Sequence, residues 1–233
     1  MPTDDPEHPH VGRPQRAFGG PGRNGLGMTR GHRRGVADDV FASSADRPGV
    51  ADWAWRAGWT RVEATGPRYG VAQELVRSAP ARRIDADHRP RDVIAGSAGD
   101  LDLLAFDIAV RARTGAIPEW AVTAVPLPDG APAVRVSPAR LWSHGGQELT
   151  QAATGDDALD RRWRILGDDD RVAQLAGDPA LQQALLATDD GDDIWTAAGH
   201  VAALRPDGHR PQLLEHHARL LAVVHRALTR YAG

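Results

Sequence analysis

The chain has 233 residues, a net charge of -3 and no cysteine, so disulfides, thiolate zinc sites and cysteine nucleophiles are excluded. A near-neutral balance argues against a dedicated nucleic-acid binder, which normally carries a strong basic excess. Hydrophobic residues make up 41%, enough for a core, but with three Phe and two Met the seven Trp must supply much of the large buried surface.

All 28 basic side chains are Arg. Two readings compete for this. One is bidentate recognition of phosphate or carboxylate; the other is the codon bias of a GC-rich genome, which also accounts for the abundant Ala, Gly and Asp and is preferred. No apolar run approaches the ~20 residues needed to span a bilayer. Met1 to His10 lacks the basic and apolar parts of a signal peptide, so a soluble, cytoplasmic protein is expected.

Residues 1–36 are rich in Gly, Pro and Arg and poor in apolar side chains, the composition of a disordered tail. Its arginines are the one feature that would meet a polyanion, but Phe18 alone offers stacking, and nucleic acid is not expected as a partner. Residues 46–233 are read as a single domain. Asp46-Arg47-Pro48 starts a helix whose Val50, Trp53, Ala54 and Ala57 share a face and which Gly58 ends. A short strand over 59–64 follows, then helical spacing from Tyr69 to Ala79, a polar loop to Arg91, and a strand opening at Val93.

Residues 93–137 give the strongest strand signal. Phe106, Ile108 and Val110 alternate with Asp107, Ala109 and Arg111, the two-residue period of a strand with one buried face. Turns at Thr114-Gly115 and Pro128-Asp129-Gly130 separate three strands of an antiparallel meander, and the Leu103-Leu104 pair breaks the alternation as a bulge would. Ser137-Pro138 is expected to cap a short helix through Trp142. Further elements are a strand at 162–166, helices after Asp170 and after Asp178, a hairpin over 194–204, and a long helix from Arg210 to Tyr231. Strands and helices in irregular order make the fold class α+β, an antiparallel sheet covered by helices.

These landmarks fall in a recognisable order: Gly58-Trp59, Phe106-Asp107, a Trp120 strand ending in Val125-Pro126-Leu127-Pro128, then Pro132 and Val136. Arg161-Arg162-Trp163, an Asp-rich helix start and Ile194-Trp195 come downstream. In this the chain, from about Asp46 to Leu228, resembles a family of uncharacterised actinobacterial proteins, many with an N-terminal membrane segment that is absent here. The resemblance implies domain limits and α+β architecture, and no activity.

Few residues cluster in a way that carries chemistry. His217 lies in the leucine stripe of the last helix and is read as a satisfied core histidine, with His216 and His225 solvated beside it. The i+4 partners of His216 and His217 are Leu220 and Leu221, so helical metal spacing is missing. Asp189, Asp190, Asp192 and Asp193 resemble half of a calcium loop but lack its closing Glu, and are read as a turn leading into the hairpin. No cofactor or metal is expected. The reading is a non-enzymatic binding or adaptor domain that acts on a protein partner through the open side of the 101–136 sheet or its edge, with Arg111, Arg113 and Arg135 as the polar rim. The alternatives are a hydrolase pairing Asp107 with His144 or His200, and a small-ligand or lipid carrier with an apolar cavity between the sheet and the long helix.

Overall fold

The runs that alternate in sequence do pair as strands. The computed structural model describes residues 45–81, 83–112, 115–139, 149–168 and 170–232. The strands among them are β1 (Thr60–Arg61), β2 (His88–Ala98), β3 (Leu101–Ala112), β4 (Gly115–Pro126), β5 (Val134–Pro138), β6 (Thr150–Ala152), β7 (Trp163–Gly167), β8 (Asp193–Ala197) and β9 (His200–Pro206). They form one nine-stranded sheet in the order β1-β2-β3-β4-β9-β8-β5-β7-β6, with every neighbouring pair antiparallel. The helices are α1 (Arg47–Arg56), α2 (Pro67–Ser78), α3 (Asp157–Asp160), α4 (Arg171–Ala176), α5 (Pro179–Ala187) and α6 (Pro211–Arg230). The fold class is α+β, as the order of elements indicated. The expected tail, residues 1–36, lies outside the described residues.

Local chemistry sets the element ends. Asp46 caps α1 through its carboxylate, which accepts from Gly49 N–H, and Gly58 stops the chain beyond it at φ +71°. Asp178 caps α5 by accepting from the N–H groups of Ala180 and Leu181. The β8–β9 hairpin turns at Ala198 and Gly199, with φ of +52° and +67°, the double positive φ of a two-residue turn that matches strand twist.

The expectation of one open sheet face does not hold. Leu103 and Ala105 of β3 belong to an apolar cluster that α6, through Leu214, Leu221, Val224 and Leu228, packs against on one face. Leu104, Phe106 and Ile108 belong to a second cluster, which α2 closes on the opposite face through Ala72, Leu75 and Val76. A strand covered on both faces buries consecutive residues, which is why Leu103 and Leu104 sit side by side without a bulge. The register shifts fall elsewhere, between Arg91 and Ile94 in β2 and between Ile108 and Ala109 in β3. β2 also starts earlier than its apolar residues suggested, at His88, because an alternating polar segment pairs along β3. Ser137-Pro138 ends β5 opposite Arg164 and Trp163 instead of capping a helix, and Trp142 lies outside the described residues.

Tryptophans do supply core volume. Trp163 is fully buried and donates its indole N–H to Leu185 O at 3.0 Å; Trp195 ties β8 to α2 by donating to Ser78 Oγ at 3.2 Å. Trp59 lies flat on β2, where a Cβ at Gly96 would come within 2.2 Å of its ring. Among the described tryptophans Trp55 is the exception, 82% exposed on α1.

Candidate functional site

Polar residues that the strands carry toward α6 form an enclosed hydrogen-bonded chain. Asp107 of β3 and Thr123 of β4 share a sheet face, since Asp107 pairs with Ala121 and Thr123 with Ala105, and Arg205 of β9 joins them opposite Ala121. The segment after β9 delivers His209, and α6 delivers His216 and His217. Asp107 Oδ1 accepts from both the backbone N–H of His209 and its ring, with Nδ1 at 2.9 Å. His209 Nε2 is 3.1 Å from Thr123 Oγ1, and His217 Nδ1 is 3.0 Å from the same oxygen. His217 Nε2 then meets Asp192 Oδ1 at 3.3 Å, while His216 Nε2 is 2.7 Å from Asp192 Oδ2.

A guanidinium closes the far end. Arg205 donates to Asp192 Oδ1 at 3.2 Å and to Asp189 Oδ2 at 2.5 Å. A Cβ at Gly191 would stand 2.3 Å from Arg205 Nη2, so glycine there lets the guanidinium lie against the turn. Thr123, His217, Asp189 and Asp192 are inaccessible to solvent, and Asp107, His209 and Arg205 nearly so.

The electrostatics follow from enclosure. Burial pushes the His217 imidazole down from 6.5 to about 4, against the pull of Asp192. Burial works against the Asp192 carboxylate too, but its bonds to His216 and His217 and the Arg205 charge outweigh that and hold it well below the usual carboxylate range. The opposite case is His88, where burial is outweighed by hydrogen bonds to Glu119 and Asp85, and the imidazole is raised.

Carboxylate, imidazole and hydroxyl in line is the arrangement of a nucleophilic triad, and Asp107, His209 and Thr123 have its distances. Here, however, a second imidazole binds the hydroxyl from the other side and no substrate atom can reach it. Among the described residues the larger concave surface lies apart: a groove of about 590 Å³ between α5 and α6, bounded by Ala184, Ala187, Val223 and Ala227 with Arg226 and Arg230, shares no residue with the chain, and the cavity that Asp107 and His209 do line is only about 20 Å³.

The residues singled out from sequence are dispersed. Arg111 is exposed near the end of β3, opposite Ala116 of β4. Arg113 and His144 lie outside the described residues. Arg135 is half-buried in β5, 3.7 Å from Asp193 and 3.4 Å from Pro80 O just past α2, so it is far from a rim position in its surroundings. Asp107 is paired with His209, not with His200, whose Nδ1 binds Ala198 O in the hairpin turn. His217 is the satisfied core histidine that its leucine surroundings indicated. His216 is not solvated but bound to Asp192, and His225 is half-buried beside the Pro126 carbonyl. The acidic turn is spoken for by cations: Asp189 and Asp192 by Arg205, Asp190 by Arg162, and Asp193 by Arg135. His209, Thr123 and Arg205 were missed. The available signal was polar isolation, since Thr123 is the one polar residue in Ala121–Val125 and Arg205 interrupts the apolar run Val201–Leu204.

Neither the family models nor the curated proteins contain a match to this chain. Among solved structures, the chain is similar to the mycobacterial trehalose monomycolate transport factor A, TtfA, with a TM-score of 0.58 and 14% identity over 78% of this chain and 93% of that one. At that identity the likeness shows a shared fold.

Proposed function

We propose that this is a non-catalytic adaptor domain of a lipid-transport assembly, working through contacts with a protein partner. The observation that carries the reading is the fold shared with TtfA, a transport factor, over nearly the whole of that chain. Two features agree with it. The acid–base groups are shut inside the fold, and the space between the sheet and α6 is filled by Leu214, Leu221, Val224 and the polar chain, so a lipid would find no cavity there among the described residues. The resemblance to an actinobacterial family also accords with a mycobacterial neighbour.

The contact surface in this reading is the outer end of the β3–β4 ribbon. β9 pairs with β4 from Ala121 to Pro126, leaving the Gly115–Pro118 stretch with β3 on one side and, among the described residues, no strand on the other. Ile117 is 51% exposed there, and Arg111 stands across from Ala116. An open edge with an apolar anchor and an arginine suits strand addition by a partner. Of the three arginines read from sequence, Arg111 keeps its partner-binding role, Arg113 follows it in the chain, and Arg135 is reassigned to holding β5 against Asp193 and the α2 end.

A photo-crosslinker at position 117, in cells of the source organism, tests this. Capture of a membrane component of glycolipid transport, lost with Arg111→Glu and absent for a crosslinker at exposed Asp52, is the expected result. Turnover abolished by His209→Ala, or a glycolipid retained at one per chain in native mass spectrometry, would replace the adaptor reading with an enzyme or a carrier.

A further inference from the structure

The hydrogen-bonded chain fixes its own proton count. Its four links run from Asp107 to His209, His209 to Thr123, Thr123 to His217 and His217 to Asp192. Each link needs one proton. Two neutral imidazoles and one hydroxyl bring three, because a neutral ring has one N–H, a hydroxyl has one O–H, and an ionised carboxylate only accepts. Both outer ring nitrogens must donate to their carboxylates. Thr123 Oγ1 can then donate to one inner nitrogen, and the other must donate to it.

We propose that this chain holds one proton beyond two neutral imidazoles, and that the proton latches the 207–210 segment, which leads into α6, to the sheet. The proton belongs on His209. Burial keeps His217 neutral near pH 7, so His217 donates from Nε2 to Asp192 and accepts Thr123 O–H at Nδ1. Thr123 therefore accepts from His209 Nε2–H, and His209 Nδ1–H donates to Asp107.

The surrounding charges agree. β3 contributes Asp107, and the turn before β8 contributes Asp189 and Asp192. Against these three carboxylates stands the buried guanidinium of Arg205, bonded to Asp189 and Asp192. A further positive charge at the Asp107 end offsets part of the remaining buried negative charge, which is tolerated only when paired. Asp207 lies near Arg210, and His216 of α6 faces Asp192. On the other side, Arg47 of α1 and Asp92 of β2 line a cavity of about 20 Å³ with Asp107 and His209. That is room for about one water. The Asp92 side chain is 41% exposed and that of His216 13%, so both ends of the chain come near solvent, by which the proton can leave and return.

Loss of the proton at alkaline pH leaves two acceptors facing each other at one link. That link is His209–Thr123, so the 207–210 segment loses its polar tie to β4, while α6 keeps its apolar contacts and the Thr123–His217 bond.

The test is nitrogen-15 NMR of histidine rings in the full chain near neutral pH. One ring protonated on both nitrogens, and one neutral ring protonated on Nε2, are expected for His209 and His217. Thr123→Val removes the acceptor for His209 Nε2–H and should convert the first ring to neutral while the His200 signals stay in place. Should that variant not fold, hydrogen exchange of the wild type decides. The Asp207 and His209 amides, which donate to Glu119 O and Asp107 Oδ1, should gain about tenfold in exchange relative to β3 amides as the proton is lost, the effect of one unsatisfied buried group. Two neutral rings, two charged rings, or Asp207 and His209 amides that track β3 at every pH would overturn the proposal.

Discussion

Replacing His217 by Leu should remove most of the protein's sensitivity to mild acid. In the native state the imidazole is enclosed and its pKa lies at about 4, whereas in the unfolded chain it takes up a proton near 6.5. Between these values the unfolded state binds the proton and the native state does not, so stability is fully present above pH 6.5 and is lost as pH falls toward 4. A gap of that size corresponds to about 3 kcal/mol at 1.36 kcal/mol per unit. Other shifted groups act elsewhere. Asp192, held low, contributes stability that is lost only below its unfolded value of 3.8, and His88, raised, contributes stability present below 6.5 and lost as pH rises. The His217→Leu change would leave Asp192 with His216 and Arg205, and Thr123 with His209, so the variant should fold at a cost of about 1–3 kcal/mol near neutrality. Urea unfolding near pH 7 and at about pH 4.5 measures the difference. The wild type should lose about 2–3 kcal/mol more than the variant between the two conditions. Equal losses in both would mean that His217 is not the enclosed neutral base described here.

Three further changes probe the fold around this chain. Gly191→Ala should destabilise by about 2–3 kcal/mol in thermal unfolding, because the methyl would stand 2.3 Å from Arg205 Nη2 and displacing that group loosens its bonds to Asp189 and Asp192. Arg205→Met should cost about 3–5 kcal/mol by leaving buried carboxylates short of a counter-charge, and Asp189→Asn in the same chain should return part of it, as a double-mutant cycle would show. Removal of residues 1–36 should leave the melting temperature unchanged, since their composition offers no apolar periodicity to dock them; a fall of many degrees would show that they pack.

The fold was legible where periodicity and end chemistry agree. Asp46-Arg47-Pro48, Asp178-Pro179 and Gly58 mark helix ends by their own hydrogen bonding and backbone freedom, and they do so in the structure. Alternation in Phe106–Val110 located a strand correctly but misassigned its second face, because a buried carboxylate and an exposed one give the same polar letter. Asp107 faces α6 and is 3% exposed. Ser137-Pro138 shows the converse limit: the pair has the chemistry of a helix start, and β7 overrides it by offering a strand to pair with.

The polar chain was illegible for a related reason. Its members come from β3, β4, the turn before β8, the segment after β9 and α6, and the pairs that bond are separated by 86 to 102 residues at three of its links. Helical spacing tests on His216 and His217 looked along α6, but the partners that matter stand across from it on the sheet. Such a chain forms only when register has been set, since a one-residue slip of β4 would turn Thr123 toward the α2 cluster and replace it with Val122 or Ala124. The enclosed polar groups therefore do more than fill space: a slipped β4 would leave the inner nitrogens of His209 and His217 without Thr123, at about 1–3 kcal/mol for each orphaned group. Apolar pairing alone, between strands rich in Ala, Val and Leu, would discriminate far less between neighbouring registers.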